Sequence, residues 1–394
     1  MYEALIHHYS EKETGIYEEI FFTKRIKFQY PPSSINLPIF TRWLGVSNLD
    51  DFIWVMNLAM FFCVFLIAIS CLLIVYSLNS LDGSVTVQNH LLVFLVVVLG
   101  TFTFNPIIRG HDLGQIQVLI NLFACLAIFF WIGGKKFLCG VVISCAAIIK
   151  PQFFLFIIWG LIRKEREFLY GFLVCVVPIG VLSVVNFGIR EHLDYIGVLS
   201  YIGQHGEVFW ANQSVNGFLN RLIENGSSLR WSGSSFADFD SIVYLGTTIS
   251  SAVIILAAVL YRPGWTVNGL GQATERRIES VLDLSTAQMA FTLASPVAWV
   301  HHYAVAWPIL VVCFVLLLRN FEAIPKWMRY VSVLGLSFSY LMISNYLTPL
   351  APFASSPFNV LQSFVFFGGA VLFVVLIILR RSPEFCGFYG RRTS

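Results

Sequence analysis

The sequence predicts an all-α, polytopic transmembrane protein with about eleven membrane segments. Three observations predict it: too little charge to face water, long apolar runs, and positive charge gathered in alternate loops. Of the 394 residues, 57% are hydrophobic and 12% charged, whereas a soluble domain is charged at about a quarter of its positions. Such a chain cannot cover its surface with polar groups and needs lipid as its solvent. The 37 Phe residues agree, because Phe enters hydrocarbon readily. A net charge of +3, with no basic patch interleaved with aromatics, argues against a nucleic-acid partner.

A helix needs about 20 apolar residues to span ~30 Å of hydrocarbon. Runs near 52–78, 90–107, 115–132, 167–187, 241–261, 279–297, 302–318, 328–345 and 359–379 meet or approach that length. Two shorter runs, 137–149 and 151–162, flank Lys150-Pro151. Proline breaks a helix there. The pair is either a thin helical hairpin or one broken helix that re-enters from the side it left, which survives only against protein or a watery cavity.

Alternating the spans puts five positive clusters on one face: Lys135/Lys136, Arg163/Lys164/Arg166, Arg262/Arg276/Arg277, Arg319/Lys326/Arg329 and Arg380/Arg381/Arg391/Arg392. Together they are 15 of the 25 Lys and Arg residues. Short loops on the other face hold only Arg109 and Lys150. The clustered face is therefore expected to be cytoplasmic, with the C-terminus inside and the N-terminus outside. The chain divides into an extracytoplasmic segment 1–51, helices over 52–187, a long outer loop 188–240, helices over 241–379 and a cytoplasmic tail 380–394. Eight cysteines lie mostly in or beside apolar runs, without a CxxC pair, so neither disulfides nor a zinc site are expected.

Unusual polar residues gather on the outer face. Gln29-Tyr30-Pro31-Pro32 precedes the first span. Arg109, His111, Asp112 and Gln115 fill the next outer loop, and Lys150-Pro151 makes the third outer turn. Asn212-Gln213-Ser214 follows Phe209-Trp210 in the long loop, and Trp299-Val300-His301-His302 joins two spans. Ionisable groups at a membrane span are functional suspects by default. Each also has a plain reading: Tyr and Trp as interfacial belt residues, Arg109 with Asp112 as a surface ion pair. Asn212-Gln213-Ser214 and Asn225-Gly226-Ser227 fit the N-glycosylation triplet. The His pair beside Trp299 is the hardest to read plainly. His, Lys and Arg with few carboxylates suit a lipid phosphate, whereas Trp210 or Trp299 with Asn212 and Gln213 suit a sugar ring.

In this order, Phe28-Gln29-Tyr30-Pro31-Pro32, Gly114-Gln115, Lys150-Pro151, Asn212-Gln213-Ser214 with Gly217 and Arg221, and Trp299-Val300-His301-His302 resemble glycosyltransferase family 87. These are C-type membrane glycosyltransferases similar to polyprenol-phosphate-mannose-dependent mannosyltransferases of glycolipid assembly. The resemblance implies a multi-helix fold, an extracytoplasmic active site in the cell membrane and a polyprenyl-phosphate-linked hexose donor, usually mannose. It implies inverting transfer to a glycan or glycolipid hydroxyl. The donor-phosphate His would fall on His301 or His302, His302 being preferred, with Lys150 and Arg109 beside it. Tyr30, Gln115, Asn212, Gln213 and Trp299 would line the substrate pocket. No cofactor is implied, and a divalent-metal requirement stays open. The family's catalytic Asp precedes a stretch that here resembles Tyr2-Glu3-Ala4-Leu5, so it would fall upstream of Met1. Asp112 is the one outer-loop carboxylate beside another motif, and a shortened N-terminus is the expectation. A transporter or flippase of a lipid-linked or anionic solute is the competing reading. That reading expects charge at mid-membrane, and the middles of the runs hold almost none.

Overall fold

The computed structural model describes residues 1–10, 14–46, 48–81, 89–261 and 272–386, without the side chains of 272–274. Arg262, Arg391 and Arg392 of the positive clusters lie outside the described residues. Two short helices, α1 (Tyr2–Tyr9) and α2 (Asn36–Trp43), precede α3 (Leu49–Ser80). Asn48 caps α3 by accepting the Asp51 N–H at 2.8 Å, and Asp50 and Asp51 in the first turn favour the helix dipole.

The chain continues as α4 (His90–Thr103) and α5 (Asn105–Asp112), which meet at a 48° bend. Pro106 explains the bend, since its preceding residues cannot continue an α-helix across it. Next come α6 (Gln117–Ile132), α7 (Lys136–Ile149), a 3₁₀ turn at Pro151–Phe154 and α8 (Leu155–Arg163). Lys150 is extended (φ −132°, ψ 114°), as a residue before proline should be. Lys136 Nζ reaches Glu165 Oε2 at 2.6 Å. The chain thus leaves one level at the start of α7 and returns to it after α8, folding back at Lys150-Pro151.

Helix α9 (Arg166–His205) rises beside α7 in parallel. The two backbones touch at glycines. A Cβ on Gly140 would stand 2.0 Å from the Phe168 carbonyl, and one on Gly171 2.0 Å from the Phe137 carbonyl. Farther up the same contact, the Cys145 and Cys175 sulfurs pack 3.6 Å apart as free thiols. Gly188 (φ 77°, ψ 161°) then bends α9, and the limb after it runs under the N-terminal segment.

The remaining helices are α10 (Val215–Leu222), α11 (Ser241–Leu260), α12 (Gln272–Leu293), α13 (Ala306–Asn320) after a 3₁₀ turn at Val300–Val305, α14 (Lys326–Ser344), α15 (Phe364–Leu379) and α16 (Pro383–Cys386). Every apolar run of the sequence has become a helix. Among the described residues, five helices are long and apolar enough to cross a membrane alone, and seven if each bent pair counts as one. Helices α6, α7 and Pro151–Arg163 are shorter. Along α11, Ile242, Leu245, Ile249, Val253, Leu256 and Leu260 are all exposed, an apolar stripe at helical spacing that only lipid would cover.

Two cores result. The larger runs through the helices, and the smaller is a cap. In the cap, Leu5, Tyr17, Phe21 and Phe28 of the N-terminal segment bury against Tyr195, Val198 and Ile202 of the second limb of α9. Described residues of the N-terminal segment and of the second limb of α9, separate in sequence, therefore pack as one layer over one end of the helices. At the opposite end, Asp283 and Glu279 on α12 tie together Arg163 and Arg380. Arg163 Nε bonds Asp283 Oδ2 at 2.6 Å, and Arg380 Nη2 bonds Glu279 Oε1 at 3.0 Å and Asp283 Oδ1 at 2.8 Å. Arg163 also donates to the Val259 carbonyl at the end of α11 and to that of Tyr261 just beyond it. Two of the positive-loop arginines are thus buried structural cations rather than solvated surface charges.

Candidate active site

Where the cap meets the helices lies a cavity of about 570 Å³. Three elements supply its polar end. The extended Lys150-Pro151 turn delivers Lys150, the 3₁₀ turn after Trp299 delivers His301 and His302, and the segment after α5 delivers Gln115. The cap closes it with Lys27, Gln29, Tyr30 and Trp231. Toward the helices the wall turns apolar, with Leu155, Leu199, Ile202, Ile255 and Phe291. Among the described residues lining the cavity there is no carboxylate.

The bonds at the polar end fix its proton inventory. The Trp299 backbone N–H donates to His302 Nδ1 at 3.2 Å, so a neutral His302 holds its ring proton on Nε2. That Nε2 lies 2.5 Å from Lys150 Nζ. Nε2–H can donate there only to an amine with a free lone pair. Burial agrees: Lys150 is almost fully enclosed, and desolvation pushes its ammonium down to about 7. No carboxylate pairs with Lys150 among the described residues. An arriving anion would reverse this state, because a protonated Lys150 and the His302 Nε2–H could both turn their donors to its oxygens. The arrangement is suited to capturing and releasing a phosphate.

A second cluster stands across Trp299. Glu207, buried in the cap, accepts from Trp299 Nε1 at 3.0 Å and from Lys27 Nζ at 2.6 Å. Burial raises the Glu207 carboxyl above its usual range, and Lys27 opposes that rise. The Lys27 ammonium lies 4.5 Å from the Phe236 ring centroid.

Of the residues singled out from sequence, Tyr30, Gln115, Lys150, Trp299, His301 and His302 line this one cavity. Four do not. Asn212 is 0% exposed and wholly used in bracing. It donates to the carbonyls of Glu207 and Pro296, accepts from the Ala298 N–H, and pairs with Trp299 in an antiparallel bridge. Gln213 is equally buried, donating to the Trp210 and Gln362 carbonyls and accepting from Phe366 N–H. Both therefore hold the segment before Trp299 in place instead of forming the pocket wall, and the enclosed Asn212 is no glycosylation acceptor in this fold. Arg109 is exposed on α5, near enough to His301 for its charge to be felt there. Asp112, with its side chain 58% exposed, sits 3.6 Å from His111 rather than pairing with Arg109, and it does not reach the cavity. Trp210 packs on Tyr346 instead.

Lys27, Glu207 and Trp231 escaped sequence reading. Lys27 follows Lys24 and Arg25 and reads as a surface run, and Trp231 sits in a Ser- and Gly-rich loop. Glu207 meets Lys27 across 180 residues of chain. No local signal marks such a contact. Among the described residues, no group of three or more His, Cys, Asp or Glu side chains could hold a metal ion.

The family model of glycosyltransferase family 87 matches residues 28–266, more than half of the chain. The match includes Tyr30, Gln115, Lys150 and Glu207 and ends before Trp299. No curated protein and no solved structure matches the chain.

Proposed function

Because the chain belongs to glycosyltransferase family 87 and is a membrane glycosyltransferase, we propose that it moves a hexose, mannose in our reading, from a polyprenyl-phosphate donor to a hydroxyl of a glycan or glycolipid. One observation carries the donor: a single cavity joins Lys150, His301 and His302 to an apolar wall of Leu155, Leu199, Ile202, Ile255 and Phe291. A phosphate on a long hydrocarbon chain has that polarity. The cavity lies at the end of the helices away from Arg163, Lys136 and Arg380. The positive-inside rule supports placing it on the extracytoplasmic side of the cell membrane, with the C-terminus in the cytoplasm.

In the reaction a new bond forms between the acceptor oxygen and the anomeric carbon as the bond from that carbon to the phosphate oxygen breaks. The phosphate leaves with the electron pair. Charge therefore grows on its oxygens in the transition state, and donors fixed beforehand at Lys150 and His302 stabilise it there more than in the ground state. The acceptor's hydroxyl proton departs in the same step to a base.

The Lys150–His302 pair makes binding depend on pH in a defined direction. Below about 7 Lys150 is cationic, and above it neutral in the empty site. The donor is a phosphodiester and keeps one negative charge throughout. Donor affinity should therefore fall as pH rises from 6 to 9, by up to about tenfold per pH unit, with one proton taken up on binding. Titrating the purified protein with polyprenyl-phosphate-mannose across that range tests the assignment. Lys150→Met should flatten the profile; an unchanged slope in that variant would place the phosphate elsewhere.

A further inference from the structure

We propose that Trp231, Trp299 and Lys27, its charge balanced by the buried Glu207 behind it, form the acceptor subsite and that it takes an uncharged pyranose. The inference rests on the donor reading for the other end of the cavity. Trp299 stands between the two ends: its ring centroid lies 5.8 Å from that of His301 and 6.3 Å from that of Trp231. If the sugar of a donor whose phosphate is held at His301 and His302 extends toward Trp299, Trp231 is the next face that the attacking group would meet.

The two indoles meet there nearly at right angles, at 87°. Trp231 is 54% exposed although it lines the cavity. A large apolar face left uncovered inside a cavity is a surface for a ligand, and the C–H face of a pyranose ring fits an indole. Trp299 is held in place by the bond from its Nε1 to Glu207.

Charge chooses between a neutral and an anionic acceptor. Lys150 has no carboxylate partner among the described residues, whereas Lys27 is matched by Glu207 at 2.6 Å. The Lys27–Glu207 side chains are 11% and 3% exposed, a nearly enclosed neutral pair. Lys27 faces the cavity and can donate to sugar hydroxyls, while Glu207 behind it cancels its charge and leaves no net field for an anion. The cavity thus has one end that takes up positive charge when an anion arrives and one end whose charge is already matched, as a reaction between a phosphate-linked sugar and an uncharged sugar requires.

The test titrates purified protein separately with hexyl α-mannopyranoside and with farnesyl phosphate, using wild type, Trp231→Ala and Trp231→Phe. Because Trp231 is exposed, the variants should keep the wild-type melting temperature. We expect glycoside affinity to fall at least about tenfold in Trp231→Ala and to recover to within about threefold in Trp231→Phe. Farnesyl phosphate affinity should stay within about twofold in both, and the two ligands should bind together. The proposal is overturned if wild type binds no glycoside, if Trp231→Ala leaves its binding unchanged, or if mannose 6-phosphate binds more tightly than the neutral glycoside. Failure of farnesyl phosphate to bind would count against the donor reading and leave the glycoside result to stand or fall by itself.

Discussion

Replacing His302 by alanine should lower kcat/KM for the lipid-linked donor by about 10²–10³-fold, the usual cost of losing one fixed donor to developing charge. The ring does two jobs. Its Nε2 faces Lys150 at 2.5 Å, and its Nδ1 accepts the Trp299 N–H that begins the turn. Removing it takes one donor from the proposed phosphate site and frees Lys150 from its only side-chain partner among the described residues. Because the pair acts as a unit, His302→Ala with Lys150→Met should cost far less than the product of the single losses. Steady-state kinetics on variants with wild-type melting temperatures measure this directly. A loss of under threefold in His302→Ala would mean that the leaving phosphate is not held here.

The second large effect lies at the other end of the molecule. Asp283 is nearly fully buried and accepts from Arg163, Arg380 and Trp159 Nε1. With Glu279 it balances two guanidinium groups. Asp283→Ala leaves those cations with one carboxylate, and breaking a buried pair from one side costs about 3–5 kcal/mol. The variant should melt well below wild type in detergent, because the network joins α8, α11, α12 and the residue after α15. A change under about 1 kcal/mol would show the network to be solvated rather than structural. Transfer per folded molecule should be little altered, which separates this variant from His302→Ala.

Much of the architecture was legible because apolar runs and helices are both local. The runs near 52–78 and 90–107 became α3 and the bent α4–α5 pair, with the bend where Pro106 demands it. Lys150-Pro151 announced a break, and Lys136 meeting Glu165, a contact that no run of residues encodes, brings the chain back to the level it left. At the site, Lys150, His301 and His302 stood out because cations and imidazoles are out of place between apolar segments. Asn212 and Gln213 stood out for the same reason and proved to be bracing. A buried amide satisfying backbone groups looks the same in sequence as one facing a ligand. Lys27, Glu207 and Trp231 were invisible because the cap that assembles them closes across nearly two hundred residues.

Sugar transfer from a polyprenyl-phosphate donor can be followed in a reconstituted system. Purified protein in proteoliposomes would be given polyprenyl-phosphate-[³H]mannose and a soluble alkyl mannoside, with product formation and donor translocation measured separately. Labelled disaccharide and free polyprenyl phosphate should form in equal amounts, and both should fall together by about 10²–10³-fold in His302→Ala. Donor crossing the bilayer with its mannose still attached, and no disaccharide formed, would contradict sugar transfer and favour a flippase.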